Sequence, residues 1–170
     1  MRRIAVVTGT RAEWGLLRPA CDAIRREPLL ELRVVAGGAH LLEPARTIDE
    51  VRSFDPDLSE FRMQVAGESG RAADARAFGR GVTDLCAVFG ALDPDIVLVL
   101  GDRIEAFAAA SAAAIAGIRV AHLHGGDRAE GVADESMRHA ITKLAHIHFP
   151  ASAESAQRIL RLGEHAATVH

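Results

Sequence analysis

Three polar clusters in this sequence carry residue types that can bind an anion or move a proton. The first is Thr8-Gly9-Thr10-Arg11-Ala12-Glu13. A glycine at this place lets the backbone approach a ligand closely. A helix opening behind it would aim N–H groups and its positive dipole end at a phosphate, with Arg11 as the charged partner. The Gly-x-Gly-x-x-Gly and Gly-Lys-Ser/Thr signatures are missing, which leaves a plain turn and cap as the alternative for Gly9-Thr10. The second cluster, Gly101-Asp102-Arg103-Ile104-Glu105, places a carboxylate directly after an apolar run. There a carboxylate is costly unless it is paired or working. Asp102 is therefore an acid/base group, a cap for the next helix, or the partner of Arg103.

The third cluster is His124-Gly125-Gly126-Asp127, followed by Asp134-Glu135-Ser136 and Arg138-His139. Asp134, Glu135 and Ser136 also have the composition of a helix cap. His122 and His124 lie two apart, on one face of a strand, and His146 and His148 repeat the spacing. A metal is conceivable, but no third ligand stands at a characteristic spacing from either pair. No metal is expected; His124 reads as a polar site residue and the others as satisfied histidines.

These clusters need elements to position them. Apolar runs at 4–8, 32–36, 61–65, 96–100, 119–123 and 147–150 read as strands. Between them lie helical patterns at 15–26, through Phe78, Val82, Leu85, Phe89 and Leu92, at 103–116, at 134–145, and on to Leu162. Pro19 is expected in the first turn of its helix, where a missing N–H costs little. Apolar strands alternating with helices argue an α/β, doubly wound parallel sheet of Rossmann-like type. In such a sheet ligands sit beyond the carboxyl ends of the strands, and all three clusters follow strands.

At 170 residues and 49% hydrophobic composition the chain supports one domain. The net charge of -3 provides no field to attract nucleic acid or an anionic membrane. The first apolar stretch is too short for a signal peptide or a membrane span, so a cytoplasmic protein is expected. Cys21 and Cys86 lie in helical patterns without Cys-x-x-Cys spacing and are expected as buried thiols. Residues 166–170 resemble the start of another strand, where a second domain would begin.

Three runs carry a resemblance to a known family: 7–17 (Val7-Thr8-Gly9-Thr10-Arg11-Ala12-Glu13-Trp14-Gly15-Leu16-Leu17), 100–106 (Leu100-Gly101-Asp102-Arg103-Ile104-Glu105-Ala106), and His122-Leu123-His124-Gly125-Gly126-Asp127 with 134–144. Together they closely resemble hydrolysing UDP-N-acetylglucosamine 2-epimerases. Gly37-Gly38-Ala39-His40-Leu41 resembles a loop of that family near the sugar. The resemblance implies the N-terminal domain of a two-domain enzyme in the glycosyltransferase-B arrangement, with the C-terminal nucleotide-binding domain outside this chain. It implies a nucleotide-sugar substrate, no cofactor and a homo-oligomer.

The implied reaction removes the C2 proton as the diphosphate leaves C1, then adds water to the resulting glycal with inversion at C2. Protons must be handled on both ring faces, and the diphosphate needs cationic or N–H stabilisation. By motif, Asp102 and Asp134 match the family's acid/base carboxylates and Arg11 a diphosphate contact. His124 stands where many relatives carry glutamate; imidazole also transfers protons, and it completes the implied catalytic set. Gly9, Thr10, His40 and Arg103 are implied as further substrate contacts. So are Glu105, Gly125, Gly126 and Arg138.

The exchange at His124 leaves open a UDP- or GDP-linked diacetamido-trideoxy sugar as the substrate. A non-catalytic nucleotide-sugar-binding half that needs a partner is a second alternative. A metallophosphoesterase is a third, although its usual Asp-x-His after the first strand is absent.

Overall fold

The computed structural model describes residues 1–44, 46–128 and 134–170, without the side chain of Asp134. Six strands form one parallel sheet: β1 (Arg2–Thr8), β2 (Leu30–Gly37), β3 (Ser59–Phe61), β4 (Ile96–Leu100), β5 (Arg119–Leu123) and β6 (Ile147–Phe149). Their spatial order is β3-β2-β1-β4-β5-β6. This is the doubly wound Rossmann order, and its topological switch point falls between β1 and β4.

Helices cover both faces. α1 (Arg11–Arg26) and α2 (Ile48–Phe54) lie on one; α3 (Arg71–Leu92), α4 (Ile104–Ile115) and α5 (Asp134–Leu144) lie on the other. Alternate strand residues therefore enter two separate cores. Ala5, Val7, Val97 and Val99 join the core with Leu85 and Phe89, while Ile4, Val6, Leu98 and Leu100 join Trp14 and Leu17. Burial on both faces is why β4 reads as five consecutive apolar residues. α6 (Ala153–Arg161) follows β6, capped by the Ser152 hydroxyl accepting from the Ser155 amide. Among the described residues, no helix is long and apolar enough to cross a membrane.

Several expectations are corrected. α1 starts at Arg11 and not at residue 15, because Thr10 and Glu13 form a reciprocal capping box. Pro19 therefore lies inside the helix, where it forgoes the bond to the Gly15 carbonyl; burial of Trp14, Leu17 and Cys21 against the sheet holds the helix there regardless. The third strand covers Ser59–Phe61, and the apolar run continues past it only because Met63 is also buried. Residues 166–170 do not begin a strand: Ala166–Thr168 is a 3-10 turn, and Val169 makes a single bridge to His148. Cys21 is buried as expected, but Cys86 is exposed on α3.

Candidate active site

The turn from β1 into α1 is built by Thr10 and Glu13. The Thr10 hydroxyl accepts from the Glu13 amide at 3.3 Å, and Glu13 Oε2 accepts from the amides of Gly9 at 2.8 Å and Thr10 at 2.9 Å. Those two N–H groups are thus spent inside the turn, and an incoming anion would meet those of the first helical residues, Arg11 and Ala12. Arg11 Nε lies 3.1 Å from a carboxylate oxygen of Glu50, with 74% of the arginine side chain exposed. An exposed pair of this kind is weak and readily exchanged for a stronger anion.

Gly9 has a packing reason as well. A Cβ there would stand 2.4 Å from Cβ of Glu105, so only glycine lets the β1 turn close over α4. Glu105 is fully buried; Gln64 Nε2 donates to its Oε1 at 2.6 Å and Arg103 Nε to its Oε2 at 3.3 Å. Burial, and next the negative charge of Glu105, push the Glu13 carboxyl up to about 7. His40 is buried beside them, with Nε2 3.0 Å from the Thr8 hydroxyl and Nδ1 2.7 Å from that of Thr47. Burial pushes it down to about 4, so the ring is neutral. Glu105 and His40 are both buried and engaged by protein groups.

Asp102 follows β4 and is tied to α5, its Oδ2 accepting from Arg138 Nη2; the two side chains are 16% and 10% exposed. Asp102 is not the residue at the N-terminal cap of α4. The residue capping α4 is Arg103, with no side-chain cap bond, and the Arg103 guanidinium reaches Glu105 instead. Arg138 Nε is buried with no hydrogen-bond partner among the described residues. Asp134 opens α5, but its side chain lies outside the described residues, and so do its catalytic and capping readings.

His122 underpins this region from β5. Its Nε2 donates to the Gly101 carbonyl at 2.8 Å, which leaves Nδ1 to accept from the Thr142 hydroxyl at 3.2 Å. The ring is fully buried, and burial holds it down at about 4. It therefore ties the Gly101-Asp102 turn to α5 as a neutral strut.

His124 leaves the strand with a left-handed φ of 62° and turns its ring toward Asp127, with Nδ1 2.9 Å from Oδ2. The other carboxylate oxygen of Asp127 accepts from the Ser155 hydroxyl at 2.6 Å. Burial works to raise the Asp127 carboxyl, but hydrogen bonds from Ser155 and His124 outweigh it and hold it below the usual range. Gly126 follows at φ 77°, so close to α6 that a Cβ would stand 2.3 Å from the Ser155 carbonyl. Gly125 packs on His122 and Thr142. Among the described residues, no group of three metal-ligating side chains converges. An apolar groove lined by Ala20, Ile24, Ile96, Leu98, Ala121 and Phe149 shares no residue with these clusters.

The fold thus brings the first, second and third clusters to the carboxyl ends of three adjacent strands, β1, β4 and β5. Residue types and spacing had not singled out Ser155, nor the bonding roles of Glu13 and Asp127 within their clusters; His122, read as a satisfied histidine, is bonded at both ring nitrogens. The Thr10-x-x-Glu13 spacing is a legible capping signal. Asp127 and Ser155 lie 28 residues apart, and no local pattern joins them.

A family model described as UDP-N-acetylglucosamine 2-epimerase matches residues 22–170. The chain is 38% identical over 170 residues to UDP-N,N'-diacetylbacillosamine 2-epimerase (hydrolyzing) of Legionella pneumophila, covering 99% of this chain and 45% of that protein. It is 36% identical over 172 residues to UDP-N-acetylglucosamine 2-epimerase of Neisseria meningitidis, covering 100% of this chain and 44% of the relative. Among solved structures, the S. aureus MnaA-UDP co-structure superposes with a TM-score of 0.82 at 25% identity, over 99% of this chain and 44% of that one. The chain spans less than half the length of these relatives. The match over most of its length, on a parallel sheet whose polar clusters gather at one edge, places the chain in the UDP-N-acetylglucosamine 2-epimerase family.

Proposed function

We propose that this chain supplies the acid/base half of a hydrolysing 2-epimerase that converts UDP-N-acetylglucosamine to N-acetylmannosamine and UDP. The observation that carries the reading is the pairing of two potential proton carriers with fixed partners at the ends of neighbouring strands. Asp102 is held by Arg138 after β4, and His124 by Asp127 after β5. Inversion at C2 through a glycal needs two groups on opposite faces of the sugar, one to take a proton and one to return it. Asp102, His124 and Asp134 are the candidates. Arg11 and the first turn of α1 would receive the departing diphosphate.

The complete protein, with a second domain closing the cleft, is the catalytic unit in this reading. The 170-residue chain alone would turn over little, because one wall cannot exclude water or fix a diphosphate. A sugar nucleotide as substrate fits a cytoplasmic site of action.

The same residues would serve a diacetamido sugar, and relatives 38% and 34% identical carry names of that kind, the latter for GDP- or UDP-linked substrate. Offering the complete protein UDP-N-acetylglucosamine and UDP-N,N'-diacetylbacillosamine separately, with products followed by NMR, tests the proposal. Release of UDP and a 2-epimerised free sugar from either supports it, and the faster substrate names the specificity. No turnover of either would overturn it.

A further inference from the structure

The turn after β5 is fixed with more care than a loop needs. His124 holds a left-handed backbone, which is strained for a residue other than glycine. Its amide donates to the Phe149 carbonyl at 3.0 Å, and Arg158 Nη1 donates to the Gly126 carbonyl at 2.9 Å. Gly126 itself is pressed against α6. The result aims the His124 ring at Asp127, whose other oxygen is anchored by Ser155 of α6.

An ionised carboxylate can only accept, so the proton between the two groups sits on His124 Nδ1. In the neutral ring the lone pair is then on Nε2, and the His124 side chain is 38% exposed while Asp127 is 26% exposed. We propose that Asp127, anchored by Ser155, is a positioning residue that locks His124 in the Nδ1–H form, making Nε2 the atom that takes a proton from one face of the substrate. This rests on the reading of His124 as an acid/base group. In the step, the Nε2 lone pair takes the proton while the C–H electron pair stays with the substrate. Nδ1 keeps its own proton, and the new imidazolium is compensated by the Asp127 carboxylate. Release of the Nε2 proton to solvent restores the starting state, while a second group on the opposite face supplies the new proton to C2.

The test is 15N NMR of the complete protein labelled at histidine nitrogens, recorded at about pH 8.5, two units above the ordinary imidazole value. The His124 signals are identified by their loss in His124→Gln. The wild type is expected to show a protonated Nδ1 and an unprotonated Nε2. Asp127→Ala should move the ring toward the Nε2–H form that free histidine prefers. It should also lower kcat by about two to four powers of ten with little change in KM. Asp127→Glu should recover part of both. A wild-type ring in the Nε2–H form overturns the proposal, as does an Asp127→Ala ring with an unchanged tautomer. The wild-type spectrum decides the matter even if a variant fails to fold. A complete protein inactive on every sugar nucleotide would instead sink the catalytic reading, leaving the tautomer of His124 to be judged by the same spectrum.

Discussion

Asp102 and Arg138, 36 residues apart in sequence, are joined carboxylate to guanidinium, so the turn after β4 and helix α5 are held as one body. With His122 bonded to both the Gly101 carbonyl and the Thr142 hydroxyl, two independent ties cross the same gap. Removing one partner of a largely buried pair leaves the other charge uncompensated. Arg138→Met should therefore destabilise the chain by about 3 kcal/mol, read from urea unfolding. A change within about 0.5 kcal/mol, the scale of a surface substitution, would show that the pair is not formed in solution.

Asp102→Asn separates chemistry from structure. The amide is nearly isosteric and can still accept from Arg138, so the fold should persist. Turnover by the complete protein should fall by about two to four powers of ten, the range for losing a general acid or base. Steady-state kinetics beside a circular dichroism spectrum checks both halves; near-normal turnover would remove Asp102 from the catalytic set.

Gly9→Ala should be poorly tolerated, since its Cβ would meet Glu105 Cβ at 2.4 Å, and that atom cannot swing aside. The cost should be about 1–3 kcal/mol, as for overpacking elsewhere. Gly15→Ala, where a Cβ meets nothing within 4 Å, serves as the control and should not destabilise. Equal stability of the two variants would contradict the packing described here.

The buried titratable groups set opposing pH trends. His40 and His122 fall from 6.5 to about 4 on folding. Their contribution is full above the unfolded value and is lost as pH drops from about 6.5 toward 4. Glu13 rises from 4.5 to about 7, so its contribution is full below 4.5 and is lost as pH climbs toward 7. Between 4.5 and 6.5 His40 and His122, joined by the likewise lowered His148, outweigh Glu13, and between 6.5 and 7 Glu13 acts against them. Stability should peak near pH 6.5. Glu13→Gln, whose carbonyl can still accept from the Gly9 and Thr10 amides, should steepen the acid limb and flatten the decline above the peak. Thermal unfolding across pH would reveal both; a peak left unmoved in shape by Glu13→Gln would exclude the raised carboxyl.

What the sequence disclosed follows from which forces are local. β4 is legible to the residue because a strand buried on both faces must be apolar throughout, and β5 because its buried Val120 and Ala121 stand between two helical patterns. α2 is seven residues long, too short to display periodicity, and escaped notice. The start of α1 was hidden because a capping box is polar and adds nothing to an apolar stripe. The three polar clusters were legible from the rule that a parallel sheet gathers ligands beyond its strand ends. The partners within them were not. Arg103 was the nearer cation for Asp102 in sequence, yet Arg138 reaches it through the packing of α5. Glu105 and His40 are buried and bonded to Gln64 and Thr8, partners that no local pattern in the sequence indicates.

In the proposed reaction C2 of the sugar loses a proton and regains one from solvent on the opposite face. Deuterium at C2 of the product tests it most directly. The complete protein would be incubated with UDP-N-acetylglucosamine, or with the diacetamido substrate if that is the one turned over, in deuterated water. UDP together with a free 2-epimerised sugar carrying deuterium at C2 is expected, with sharply reduced formation of both in Asp102→Asn and His124→Gln. Release of UDP with an unlabelled sugar of retained configuration would contradict it, because that is plain hydrolysis with no proton exchange at C2.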